Sequence, residues 1–159
     1  MTFARLTLIA AAVATLAACG KKEETPAAGT AAPAAAPAAE ALPVIKIGHV
    51  APLTGSIAHL GKDNENGARL AIDELNEAGV EIGGKKVKLE LVSEDDQADA
   101  KTATTVAQRL VDAKVAGVVG HLNSGTTIPA SKIYNDAGIP QISPSATNPD
   151  YTRAGFKTA

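Results

Sequence analysis

Val115-Ala116-Gly117-Val118-Val119-Gly120 is an unbroken run of small and apolar residues without a single charge. A run this short is typical of a strand buried on both faces. Burial on both faces requires helices above and below a parallel sheet, so the flanking sequence should read as helix. It does. Upstream, Asp99 can cap a helix over 99–113, with Ala103, Val106, Ala107, Leu110 and Val111 at three- and four-residue spacing. Downstream, the pattern predicts a helix over 126–136 carrying Ile128, Ile133 and Tyr134. Gly138 ends it, and a strand over 139–143 follows.

The same alternation extends towards the N-terminus. Residues 86–92 (KVKLELV) alternate as a strand, preceded by a Gly83-Gly84 turn. Residues 60–77 read as a helix with Gly67, Ala68, Ala71, Ile72, Leu75 and Ala78 on one stripe and Gly79 as its stop. Val44-Ile45-Lys46-Ile47-Gly48-His49-Val50 is the first strand. Strands alternating with helices imply parallel pairing and right-handed crossovers, hence an α/β fold with a Rossmann-like parallel sheet and flanking helices. Ligands of such sheets bind at the carboxyl ends of the strands, where 51–61, 94–97, 121–127 and 143–148 lie.

The first 43 residues are expected to lie outside this domain. Residues 1–19 have Arg5 near the start and an apolar run over 6–18, too short for the roughly 20 residues of a membrane span and suited to a secretory signal. The run ends in Leu16-Ala17-Ala18-Cys19, which resembles a bacterial lipoprotein box. That resemblance implies a lipid anchor on Cys19, and Gly20 in place of an aspartate points to the outer membrane. Residues 20–43 are rich in alanine and proline without apolar periodicity, and read as a disordered tether. The ligand-binding domain is therefore expected over 44–159.

Composition excludes several functions. The chain has 159 residues, 15 basic and 17 acidic, and no tryptophan. Nucleic-acid binding would need basic patches and stacking aromatics. The single cysteine cannot make an internal disulfide or a multi-thiolate zinc site. His49, His59 and His121 are scattered and no His-Glu-x-x-His spacing occurs, so a catalytic metal has no support. There is no Gly-x-Ser-x-Gly elbow for a hydrolase. No cofactor motif is present, and an enzyme is not expected.

Two stretches remain as candidate chemistry. Gly120-His121-Leu122-Asn123-Ser124-Gly125-Thr126-Thr127 places hydroxyls and amides at a helix start. It reads either as an anion site or as plain capping by Ser124 or Thr126. Ser143-Pro144-Ser145-Ala146-Thr147 ends a strand with small hydroxyl residues, either for a ligand or as a capped turn. Glu94-Asp95-Asp96 reads as caps and solvated loop charges rather than as a Mg²⁺ or Ca²⁺ site.

The loop IGHVAPLTGSIAHLGKDNENGARLAIDELN, the turn VSEDDQAD and the block VVGHLNSGTTIPASKIYNDAGIPQISPSATNPDYT closely resemble the branched-chain amino-acid binding proteins of ABC transporters. The resemblance runs from about residue 44 to the end. It implies the N-terminal lobe of a two-lobe periplasmic binding protein, closing on leucine, isoleucine, valine or a related amino acid for delivery to an inner-membrane permease. An amide- or urea-binding or sensory relative is the alternative it leaves open. By resemblance, Ser124 with the neighbouring amides of Asn123 and Gly125 takes the ligand carboxylate. Ser145, through its carbonyl, and Thr147, through its hydroxyl, hold the ammonium and carboxylate. Leu60 stands where relatives often have an aromatic facing the ligand side chain. The second lobe implied by the resemblance is absent from these 159 residues, so half a site and weak binding by this chain alone are expected. The implied setting is the periplasm of a Gram-negative bacterium.

Overall fold

A computed structural model describes residues 41–159; the expected signal segment, Cys19 and nearly all of the alanine- and proline-rich stretch lie outside the described residues. The chain runs β1 (Val44–Ala51), α1 (Ala58–Ala78), β2 (Val80–Ile82), β3 (Lys85–Asp95), α2 (Ala100–Asp112), β4 (Gly117–Gly120), α3 (Ser124–Asp136), β5 (Gln141–Ile142) and α4 (Asp150–Arg153). The strands form one sheet in the order β2-β3-β1-β4-β5. β1 pairs in parallel with both β3 and β4, and β4 with β5. The Rossmann-like reading holds.

One element departs from it. β2 is an antiparallel edge strand, joined to β3 by the Gly83-Gly84 turn. Three residues are too few to show periodicity, so only the turn was visible in the sequence. Past β2 the edge of β3 is open, and the Asn76 side chain closes it: its Nδ2 donates to the Leu89 carbonyl at 2.9 Å and its Oδ1 accepts from the Leu89 amide at 2.8 Å. Covering a sheet edge in this way hides backbone groups that would otherwise pair with another chain.

The two faces of the sheet are not packed alike. α2 and α3 bury Val106, Ala107, Leu110, Ala130 and Tyr134 against Val50, Val118 and Ile139, with Val115 beside them. Asp99 caps α2 as its position predicts, accepting from the Thr102 amide at 2.7 Å. On the opposite face α1 is the only helix among the described residues. Of its predicted stripe Ile72 is buried, whereas Ala71, Leu75 and Ala78 stay exposed. The small residues of α1 leave the space beneath it unfilled, and Ala68, Ala71, Leu75, Ile47, Leu91 and Val119 border a groove of about 530 Å³.

Element ends shift in ways that matter for the site. β3 runs on to Asp95, so Glu94 and Asp95 belong to a strand and the turn begins at Asp96. The expected strand over 139–143 shrinks to Gln141–Ile142, which leaves Ser143 in the loop. α3 starts two residues earlier than predicted, which puts Ser124 and Gly125 in its first turn.

His49, on central β1, is fully buried. Its Nε2–H donates to Asn64 Oδ1 at 2.9 Å, and its Nδ1 accepts from the Ser93 hydroxyl at 3.2 Å. Burial lowers its pKa below the ordinary 6.5, against the raising effects of the Asn64 hydrogen bond, Glu65 and Asp96; Arg69 lowers it further. The unfolded chain therefore takes up a proton near pH 6.5 that the folded chain refuses. Stability from this group is complete above that pH and is lost as pH falls below it. Urea unfolding between pH 7.5 and 5 should show a decline of at most about 1.4 kcal/mol per pH unit from this one proton. Replacing His49 with asparagine should flatten that decline.

Candidate functional site

The carboxyl ends of β1, β3, β4 and β5 lie at one edge, as the topology requires. The loop after β1 is fastened to the end of β3 by Asp95. Its carboxylate accepts from the Leu53 amide at 2.8 Å, the Thr54 hydroxyl at 2.6 Å and the Gln97 amide at 2.8 Å. Those donors hold its pKa below the usual carboxylate value, against the opposing effect of burial. Replacing Asp95 with alanine should cost about 1–3 kcal/mol. Amide exchange should speed up first at Leu53 and Thr54. Glu94 pairs with Arg109 of α2 at 2.7 Å. Of the expected caps and solvated loop charges, the capping holds for Asp95 and Asp96, which accept from backbone amides, whereas solvation fails for Asp96, which is fully buried.

Asp96 is buried because it has partners. His121, also fully buried, donates from Nδ1 to Asp96 Oδ2 at 2.9 Å, and the Ala98 amide donates to Oδ1 at 3.0 Å. The Tyr134 hydroxyl donates to His121 Nε2 at 3.1 Å. Burial, with Asp96 and Glu94 nearby, pushes the Tyr134 phenol up, so it keeps its proton. Both ring nitrogens of His121 are thus engaged, and neither is free to act as a base for Ser124.

The His121 backbone starts a second set of links. Its carbonyl accepts from Ser143 Oγ at 2.6 Å and lies 2.8 Å from Thr127 Oγ1. Ser143 Oγ accepts from the Ala146 amide at 3.0 Å, and Ser145 Oγ donates to the Leu122 carbonyl at 2.7 Å. Ser124 Oγ accepts from the Thr147 and Asn148 amides at 3.1 and 3.2 Å. The two candidate stretches are therefore stitched together along their length. Plain capping by Ser124 or Thr126 is not what occurs: Asn123 stands at the cap position without a side-chain bond, and Thr126 Oγ1 donates back to the Asn123 carbonyl at 3.0 Å.

Several polar groups around this junction keep unused capacity. Among the described residues the Ser124 hydroxyl proton, the Ser145 carbonyl, the Thr147 hydroxyl and the Ser124 and Gly125 amides have no hydrogen-bond partner. Asn123 Oδ1 is buried and unpartnered. Beside them a pocket of about 490 Å³ is bordered by Leu60, Asp63, Asn64, Leu122 and Ser145. The structure thus brings Leu60 and Ser145 to one pocket. Asp63, Asn64 and Leu122 join them without having been singled out in the sequence. Asp63 was legible in principle, because it follows Leu60 by three residues on one helix.

The match to a family model described as periplasmic binding protein spans residues 44–157. The chain belongs to the periplasmic binding protein family. An amino acid binding protein of Pseudomonas aeruginosa is 45% identical over 117 residues, which are 73% of this chain and 30% of that one. A leucine-specific-binding protein of Salmonella typhimurium is 43% identical over 113 residues, 71% of this chain and 30% of its own length. A branched-chain amino acid transporter substrate binding protein from Streptococcus pneumoniae, solved with isoleucine, superimposes with a TM-score of 0.66 at 40% identity. There the match covers 72% of this chain and 32% of that one. An ABC transporter substrate-binding protein from Desulfitobacterium hafniense in complex with leucine gives 0.62 at 38% identity, with the same coverage. The family and these relatives are solute-binding proteins rather than enzymes. This binding-protein chain spans about 30% of the length of the curated relatives it matches.

Proposed function

We propose that residues 44–159 form one lobe of the substrate-binding protein of an ABC transporter, holding the zwitterionic end of a branched-chain or related amino acid. The observation that carries this is the unspent set at the start of α3. The Ser124 hydroxyl proton and the Ser124 and Gly125 amides are donors for a carboxylate, and the helix dipole adds to them. The Ser145 carbonyl is an acceptor for an ammonium, and the Thr147 hydroxyl serves either group. Neutral dipoles supply both halves of a zwitterion without burying a lone charge. Leu60, 47% exposed, and Leu122 offer apolar surface to the side chain. The lobe binds and releases its ligand without covalent chemistry. In this reading the chain is exported, anchored through lipid on Cys19 at the periplasmic face of the outer membrane, and passes its ligand to an inner-membrane permease.

One lobe offers one wall of the pocket, so affinity is weak and the test must tolerate that. The ¹⁵N-labelled 159-residue chain is titrated with leucine, isoleucine, valine and urea to tens of millimolar. Saturable shifts confined to the amides of Ser124, Gly125, Thr147 and Asn148 with the amino acids are the expected result. No response there, or a response to urea alone, overturns the amino-acid reading. For the anchor, membrane association that survives replacement of Cys19 with serine would overturn lipidation.

A further inference from the structure

The pocket beside the zwitterion site is not purely apolar. Asp63 stands three residues after Leu60 on α1, so the two share a helix face and border the same pocket. Among the described residues Asp63 makes no hydrogen bond or ion pair, whereas Glu65 two positions on is held by Lys62 and Arg69. Asn64 adds to the polarity: its Oδ1 is taken by His49, which leaves its Nδ2 hydrogens to spare. Leu122 and Ser145 form the facing side.

A carboxylate with no protein partner, next to a site for an amino acid, sets a preference. A ligand seated in the pocket displaces water from that carboxylate, and an aliphatic side chain gives it no hydrogen bond in return. A side chain with a hydrogen-bond donor satisfies it. We infer that Asp63 biases this pocket towards amino acids whose side chains donate a hydrogen bond, over isosteric aliphatic ones. This rests on the zwitterion site proposed above and names the substrate class that site takes.

Threonine and valine are the decisive probes, because they have nearly the same shape and differ in one hydroxyl. Each is titrated into the ¹⁵N-labelled full chain and into the Asp63→Leu variant. Asp63 is exposed and unpartnered, so the variant should keep the wild-type spectrum away from the pocket. Asp63→Ala, which favours helix, is the second variant if the first does not. The wild-type chain should prefer threonine by roughly three- to tenfold, the worth of one hydrogen bond to a charged group in a partly wet site. The variant should lose or reverse that preference. Equal or better binding of valine by the wild-type chain overturns the inference. So does a threonine preference that the variants retain. Absence of shifts at Ser124, Gly125 and Thr147 with both amino acids is a different result, and it overturns the zwitterion site itself.

Discussion

Replacing Gly61 with alanine should cost about 3 kcal/mol or more, a large share of the roughly 5–15 kcal/mol that holds a domain together. Gly61 is buried in the first turn of α1, where the helix crosses the loop after β1. A Cβ built on it would lie 2.0 Å from the Pro52 carbonyl oxygen and 2.6 Å from its carbon. Those are backbone atoms of a loop that Asp95 holds in place, so the clash cannot be relieved by turning a side chain. Six residues further along the same helix, Gly67 has nothing within 4 Å of the same construction. Gly67→Ala should therefore stabilise the chain by about 0.5–1 kcal/mol, the ordinary helix gain. Urea unfolding of both variants gives opposite signs from one substitution type. A mild effect at Gly61 would show that the crossing is looser than the contact distances require.

Replacing His121 with alanine is expected to cost about 3–5 kcal/mol. The Asp96 carboxylate would remain buried with the Ala98 amide as its main partner, and the Tyr134 hydroxyl would lose its acceptor. Tyr134→Phe removes one end of the same chain of bonds and should cost only about 1 kcal/mol. If His121→Ala and Tyr134→Phe cost the same, the buried carboxylate is not what His121 stabilises.

How much of this was readable beforehand depended on whether a feature is local. The α2 stripe and its Asp99 cap depend on neighbours three and four residues apart, and they appear where the spacing places them. The loops at the strand ends followed from topology alone. The pairing of Asp96 with His121 was hidden for the opposite reason. The two are 25 residues apart and meet because β3 and β4 flank β1 from either side. In sequence, Asp96 was one of three adjacent acids and His121 one of three scattered histidines. Ser124 was legible as a candidate, but its attachment to the 147–148 amides was not, since two loops meet there. The α1 stripe was legible too. What its small residues face is a groove, which periodicity cannot distinguish from a packed core.

The central position of β1 has a consequence for how the chain is made. β1 leaves the ribosome first, yet its partners are Lys85–Asp95 on one side and Gly117–Gly120 on the other. Until synthesis reaches those segments, an apolar strand has no neighbour on either edge, and closing such long loops slows folding. The nascent chain thus stays open while most of the domain is being translated.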